Sequence, residues 1–137
     1  DTPTFAGINL GDENLSVYDE WSWTPIFKGL STAGSPTYSR QVGRYVKIGK
    51  VVIAGFDVII TALGSPSGIM VLGALPFTVE NVSFIRSGAG IGEHGNINLD
   101  TAGGFYQVTL EAVENTTYAQ FKENGDQWGS IGINGNQ

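Results

Sequence analysis

The chain has no cysteine, one histidine, one methionine and only seven lysines and arginines in 137 residues. Each scarcity removes chemistry. Without cysteine there are no disulfides, thiolate metal sites or cysteine nucleophiles, although the compartment stays open. One histidine with no cysteine does not supply the three or four ligands of a zinc site. A Ser-His-Asp arrangement would have to use His94, which sits beside Glu93 among glycines with no orienting carboxylate recognisable nearby. His94 reads instead as a polar loop tip reaching toward a ligand. Thirteen acids against seven bases give a net charge of −6, the wrong sign for nucleic acid, whose phosphates are bound through Lys and Arg. Four of the bases (Arg40, Arg44, Lys47 and Lys50) cluster within a short span. Solvated positions on a strand pair are preferred there over a small anion site. No apolar run is long enough for a membrane span, the longest being broken by Gly55 and Asp57, so no membrane insertion is expected. The opening DTPTFAG has no basic segment, and no signal peptide is read in it.

Apolar residues and glycine are what the chain does contain. Hydrophobic residues make up 41% and charged residues 15%, a balance that folds rather than stays disordered. Twenty glycines without a Gly-X-Y period fit many short strands joined by turns. The organising stretch is Tyr45–Thr61, YVKIGKVVIAGFDVIIT, which reads as two consecutive strands hinged at Gly49-Lys50. In its second half Val52, Ala54, Phe56, Val58 and Ile60 point one way and are all apolar. Val51, Ile53, Gly55, Asp57, Ile59 and Thr61 point the other way. The period of two and the β-branched Val51, Val52, Ile53 and Val58 specify strand over helix. The even face requires a covering sheet. The odd face carries three aliphatics, more than a solvated surface usually shows, so it too calls for a cover.

Along the chain, residues 1–20 read as a stem or lead-in segment and 21–137 as the folded domain. Trp21–Phe27 (WSWTPIF) reads as a strand whose Trp21, Trp23 and Pro25 share a face, with Pro25 confining it to an edge or its own end. Residues 28–37 and 62–68 read as loops and 69–75 as a short strand ended by Pro76; 82–87 alternate again. The run 87–96 (SGAGIGEHGN) is too glycine-rich for a strand interior. A short strand over 96–100 and a turn over 101–104 precede Phe105–Val113, where Tyr106, Val108, Leu110 and Ala112 point inward. Tyr118–Lys122, a turn at ENGDQ and Trp128–Asn134 complete the chain. No helical stripe and no internal repeat is present. The pattern predicts an all-β, antiparallel β-sandwich of the jelly-roll or Greek-key kind.

Motifs for chemistry are sparse. Asp12-Glu13-Asn14 and Glu123-Asn124-Gly125-Asp126 are the only clustered oxygen donors for calcium; neither has a twelve-residue loop pattern and both read as turns. The G-x-G-like run GAGIGEHG has no helix after it to make a nucleotide cradle. A carboxylate pair for glycoside hydrolysis carries little signal among so many acids. Two sequons, at Asn81 and Asn115, matter only in a eukaryotic secretory route. No cofactor is expected. Aromatic residues are the better lead, because sugars pack C–H faces on Trp and Tyr rings while amides and carboxylates take their hydroxyls. At least one of Trp21 and Trp23 faces the core, and Trp128 lies in a polar, turn-rich stretch. The ligand-contacting candidates are Trp21, Trp128, Tyr106 and Tyr118, with Asp126 and His94.

Three segments carry a family resemblance. Leu15–Pro25 (LSVYDEWSWTP) resembles the L-x-x-Y-E-E-G-T-W-T-P segment of many bacteriophage tail-fibre and tailspike C-terminal domains. Gly43–Val52 (GRYVKIGKVV) is similar to their G-x-Y-x-K-I-G-N-x-V segment, and Leu75-Pro76-Phe77 to their G-L-P-F. The three occur in order over roughly the first 80 residues; the remainder matches only in β character. Trp21 stands where the family has glycine, which puts an aromatic at a turn either as a packing element or as a surface stacking residue. Lys50 stands where asparagine is usual. The resemblance implies a homotrimeric jelly-roll domain on the extracellular side of a virion, binding host cell-surface glycan or stabilising the trimer. Val51, Ile53 and Ile59 would then lie in the three-fold interface. The expected function is non-enzymatic viral adhesion by carbohydrate binding. A purely structural trimerisation cap and an accessory module of a polysaccharide-degrading tailspike are the alternatives.

Overall fold

Two-residue and longer strands account for all the regular structure in the computed structural model, which describes residues 8–9, 14–15, 18–81, 88–93, 95, 105–125 and 130–132. The strands are β1 (Ile8–Asn9), β2 (Asn14–Leu15), β3 (Tyr18–Trp23), β4 (Ile26–Gly29), β5 (Thr37–Ile48), β6 (Val51–Ala62), β7 (Met70–Gly73), β8 (Gly88–Gly90), β9 (Phe105–Ala112), β10 (Ala119–Gly125) and β11 (Ser130–Gly132). Every pairing is antiparallel. The chain is thus all-β, with a three-stranded sheet ordered β3-β5-β6 and a six-stranded sheet ordered β4-β7-β10-β9-β8, in which β11 also pairs with β10. β1 and β2 form a separate ribbon.

The long hairpin β5–β6 follows from its sequence. Ile48 pairs with Val51 across a two-residue connection, and Gly49 supplies the positive φ of 58° that the first position of such a tight turn favours. From there the strands stay in register until the Thr37–Arg40 end, where the pairing slips. The slip brings Tyr38 and Gln41, of opposite parity, onto one job. Gln41 Nε2 donates to the Pro25 carbonyl at 2.9 Å, and Tyr38 Oη accepts from the Phe27 backbone N–H at 2.9 Å. These bonds hold the chain where it leaves one sheet for the other. The expected single strand Trp21–Phe27 is in fact two: β3 ends at Trp23, buried Pro25 makes the crossing, and β4 joins the second sheet. Proline has no N–H for a ladder, so the switch falls there.

A shared core joins the sheets. Trp23, with Tyr45 and Phe56, packs from the three-stranded side against Met70, Leu72, Val108, Leu110, Ala119 and Phe121. Phe27 and Phe121 meet with ring centroids 5.0 Å apart and planes tilted by 52°. Each large apolar side chain fully buried contributes about 1.5–3 kcal/mol. The exposed Arg40–Asp57 ion pair (2.7 Å) contributes about 0–1 kcal/mol, so packing and not charge decides the stability.

Two further expectations are corrected. Gly88–Gly90, inside the run read as loop, is an edge strand on β9. Pairing uses backbone groups alone, and an edge position does not demand side chains. Glu123–Gly125, read as a turn, extends β10, and Glu123 is buried on the same face as Phe121. The first strand of the three-stranded sheet, β3, begins at Tyr18.

Candidate functional site

The register of the three-stranded sheet places its side chains in rows. On the face toward the second sheet the rows are Trp23–Gly43–Phe56, Trp21–Tyr45–Ala54 and Asp19–Lys47–Val52. Trp23 and Trp21 share that face, yet Trp23 is 8% exposed and Trp21 67%. The difference is position: Trp23 lies under the second sheet, and Trp21, one row outward on an edge strand, escapes its cover. Trp21 stands in mid-strand rather than at a turn, and its ring is exposed rather than packed in the core.

Polar groups flank that ring. Tyr45 Oη donates to Asp19 Oδ2 at 3.4 Å, and Lys47 faces Asp19 across the strand pair. Burial, followed by the negative charge of Asp19 and their hydrogen bond, pushes the Tyr45 phenol above its ordinary 10.0. On the opposite face Tyr18 Oη donates to Glu20 Oε2 at 2.9 Å, and this bond, then the Glu20 charge, raises Tyr18 likewise. A phenol is neutral when protonated, so a folded-state pKa above the unfolded one stabilises the fold fully below 10. That contribution is lost as pH climbs through the folded value. In a titration followed by tyrosinate absorbance, Glu20→Ala should return Tyr18 toward its ordinary range, because it removes both the hydrogen bond and the charge of Glu20. Asp19→Asn should lower Tyr45 only part of the way, since burial remains; a complete return would overturn that ordering.

Next to these rows the sheets part, leaving a cleft of about 520 Å³. Trp23 and Phe56 form its inner end next to the core, and Ala54, Ala112 and Ala119 also line it. At the mouth Lys50 Nζ lies 3.1 Å from Glu80 Oε1, tying the β5–β6 turn to the 75–80 segment. That segment is fixed from behind: Leu75 N–H donates to the Thr117 carbonyl (2.9 Å) and Val79 N–H to the Thr116 carbonyl (2.8 Å).

Of the other ligand candidates, His94, Asp126 and Trp128 lie outside the described residues, as does the side chain of Tyr106, whose backbone is in β9. Tyr118 is half-buried at the entry to β10, its N–H donating to Thr116 Oγ1 at 3.3 Å, and it does not line the cleft. Val51, Ile53 and Ile59 all lie on the outer face of the three-stranded sheet and are exposed. The basic run is not one cluster: Arg40 pairs with Asp57, Lys50 pairs with Glu80, and Lys47 lines the cleft. Among the described residues no group of three His, Asp or Glu could hold a metal ion, and no helix is long and apolar enough to cross a membrane. The cleft escaped sequence reading. Alanine at the inward positions 54 and 112 is its only trace there, and alanine says nothing about what it faces.

In comparisons with known proteins, no family model, no curated protein and no solved structure matches the chain.

Proposed function

We propose that this chain is a non-catalytic, jelly-roll-like domain of a bacteriophage tail fibre or tailspike. In this reading it works on the extracellular side of the virion, binds host cell-surface carbohydrate, and assembles with two further copies of itself. The phage assignment rests on the three ordered segments within Leu15–Phe77. Sugar recognition rests on one observation: a tryptophan 67% exposed on a strand, beside a Tyr45–Asp19 hydrogen bond and the Lys47 ammonium. An indole face takes the C–H side of a pyranose, and the carboxylate, phenol and ammonium take its hydroxyls. A strand fixes the ring with less loss of freedom on binding than a loop would.

A glycan array probed with the parent protein, then titration calorimetry on the best glycan, tests this. Trp21→Ala should weaken binding by at least about fivefold, since a stacked aromatic contributes on the order of 1 kcal/mol or more in such contacts. Equal binding by the variant would move the site elsewhere. An array without signal from a protein that is trimeric in solution would replace adhesion by the trimerisation-cap reading.

A further inference from the structure

We infer that the cleft between the sheets is a second ligand site, which adjoins the Trp21 surface and shares Lys47 with it, and that it takes an aliphatic carboxylate. Its walls are apolar on both sides: Val52 and Ala54 from β6, and Leu72, Leu110 and Ala119 from the six-stranded sheet. Its volume of about 520 Å³ falls within the range of small-molecule sites, about 300–1,000 Å³. A protein interior normally closes at crystal-like density, and an open apolar cleft of this volume has room for an alkyl chain. The charges at the mouth select the head group. Glu80 is taken by Lys50, and Asp19, which faces Lys47 across the strand pair, accepts from Tyr45 Oη, so Lys47 is the cleft-lining ammonium that is in no ion pair among the described residues. An alkyl chain with an anionic end satisfies wall and mouth together. A cationic amphiphile would meet Lys47 with like charge, and a neutral sugar would bury hydroxyls against aliphatic walls that offer them no hydrogen-bond partner.

Dodecanoate, used below its micellar concentration, is the probe. Calorimetry should show one molecule bound per chain, with methyl resonances of Val52, Leu72 and Leu110 shifting and those of Val51 and Ile53 unchanged. Dodecyltrimethylammonium should bind at least tenfold more weakly. Lys47→Met should weaken dodecanoate by about tenfold while leaving the fold intact, because the side chain is at the mouth. Ala112→Leu should abolish binding by filling the cleft, and Lys47→Met keeps the test open if that variant fails to fold. The inference is overturned if dodecanoate does not bind, if Lys47→Met binds it as tightly as the parent, or if the cationic amphiphile binds equally well. Shifts confined to Val51 and Ile53 would equally overturn it, by locating the amphiphile on the outer face.

Discussion

Trp23→Ala is expected to cost about 3–5 kcal/mol of folding stability, the range for truncating a large buried aromatic. Small domains have about 5–15 kcal/mol in all, so this one change removes a large share. Trp23 carries this weight because it is the tryptophan through which the three-stranded sheet reaches the second sheet, buried among Met70, Leu72, Leu110 and Phe121. Its place depends on Gly43 directly across the strand pair. A Cβ on Gly43 would stand 2.4 Å from Trp23 Nε1 and 2.5 Å from Cε2, closer than atoms can approach. Gly43→Ala should therefore cost about 1–3 kcal/mol through overpacking. Urea unfolding of the two single variants and the double variant gives a cycle. With the indole gone the extra methyl has space, so Gly43→Ala should cost under about 0.5 kcal/mol in the Trp23→Ala background, leaving a coupling within the ~0.5–3 kcal/mol seen for residues in contact. Strictly additive costs would mean that the ring does not lie over Gly43.

In the trimer proposed above, substituting Val51 and Ile53 together by aspartate should yield single chains. On the outer face Tyr18, Ile48 and Val51 form one row, and Glu20, Val46 and Ile53 the next. Val51 is 62% exposed and Ile53 68%, so a lone copy leaves the most apolar part of its longest hairpin in water. These exposed aliphatics are what the proposed interface would cover. β6 pairs with β5 alone among the described strands, which leaves its other backbone edge open as well. The face supplies the need for cover; the number three comes from the phage resemblance. Each carboxylate forced into a closed interface costs on the order of several kcal/mol, and three-fold symmetry repeats the insult in every subunit. Light scattering on the parent should return three times the 14.5 kDa of one chain, and the double variant one. Circular dichroism should stay β-rich, because both positions are exposed within a single copy. A parent protein that is monomeric at micromolar concentration would sink the interface.

The hairpin was the most legible part of the fold. Gly49 between two alternating runs has only one economical conformation, and the even and odd sets at 51–61 sort to the two faces as their parity requires. Val108 and Leu110 are buried and Gln107 exposed for the same reason. Legibility failed where a partner segment decides. Gly88–Gly90 has no side-chain pattern, and only the nearby edge of β9 makes it a strand. Glu123 resembles a turn residue, but β9 and β11 pair along that part of β10 and carry the strand onward. Trp21 and Trp23 are identical in type and parity, so nothing local separates the ring in the core from the ring in solvent.

By itself the amino-acid order determined the all-β character, the turn at Gly49, the two faces of β6, and that at least one tryptophan of the Trp21/Trp23 pair faces the core. Those properties follow from backbone sterics and a two-residue period, which act between neighbours in the chain. Tertiary structure alone decided which tryptophan is covered, where the chain changes sheets at Pro25, and that alanines from β6, β9 and β10 line one opening. These depend on what lies about 10 Å away across a sandwich, a distance at which sequence spacing holds no information and the packing of two sheets holds all of it.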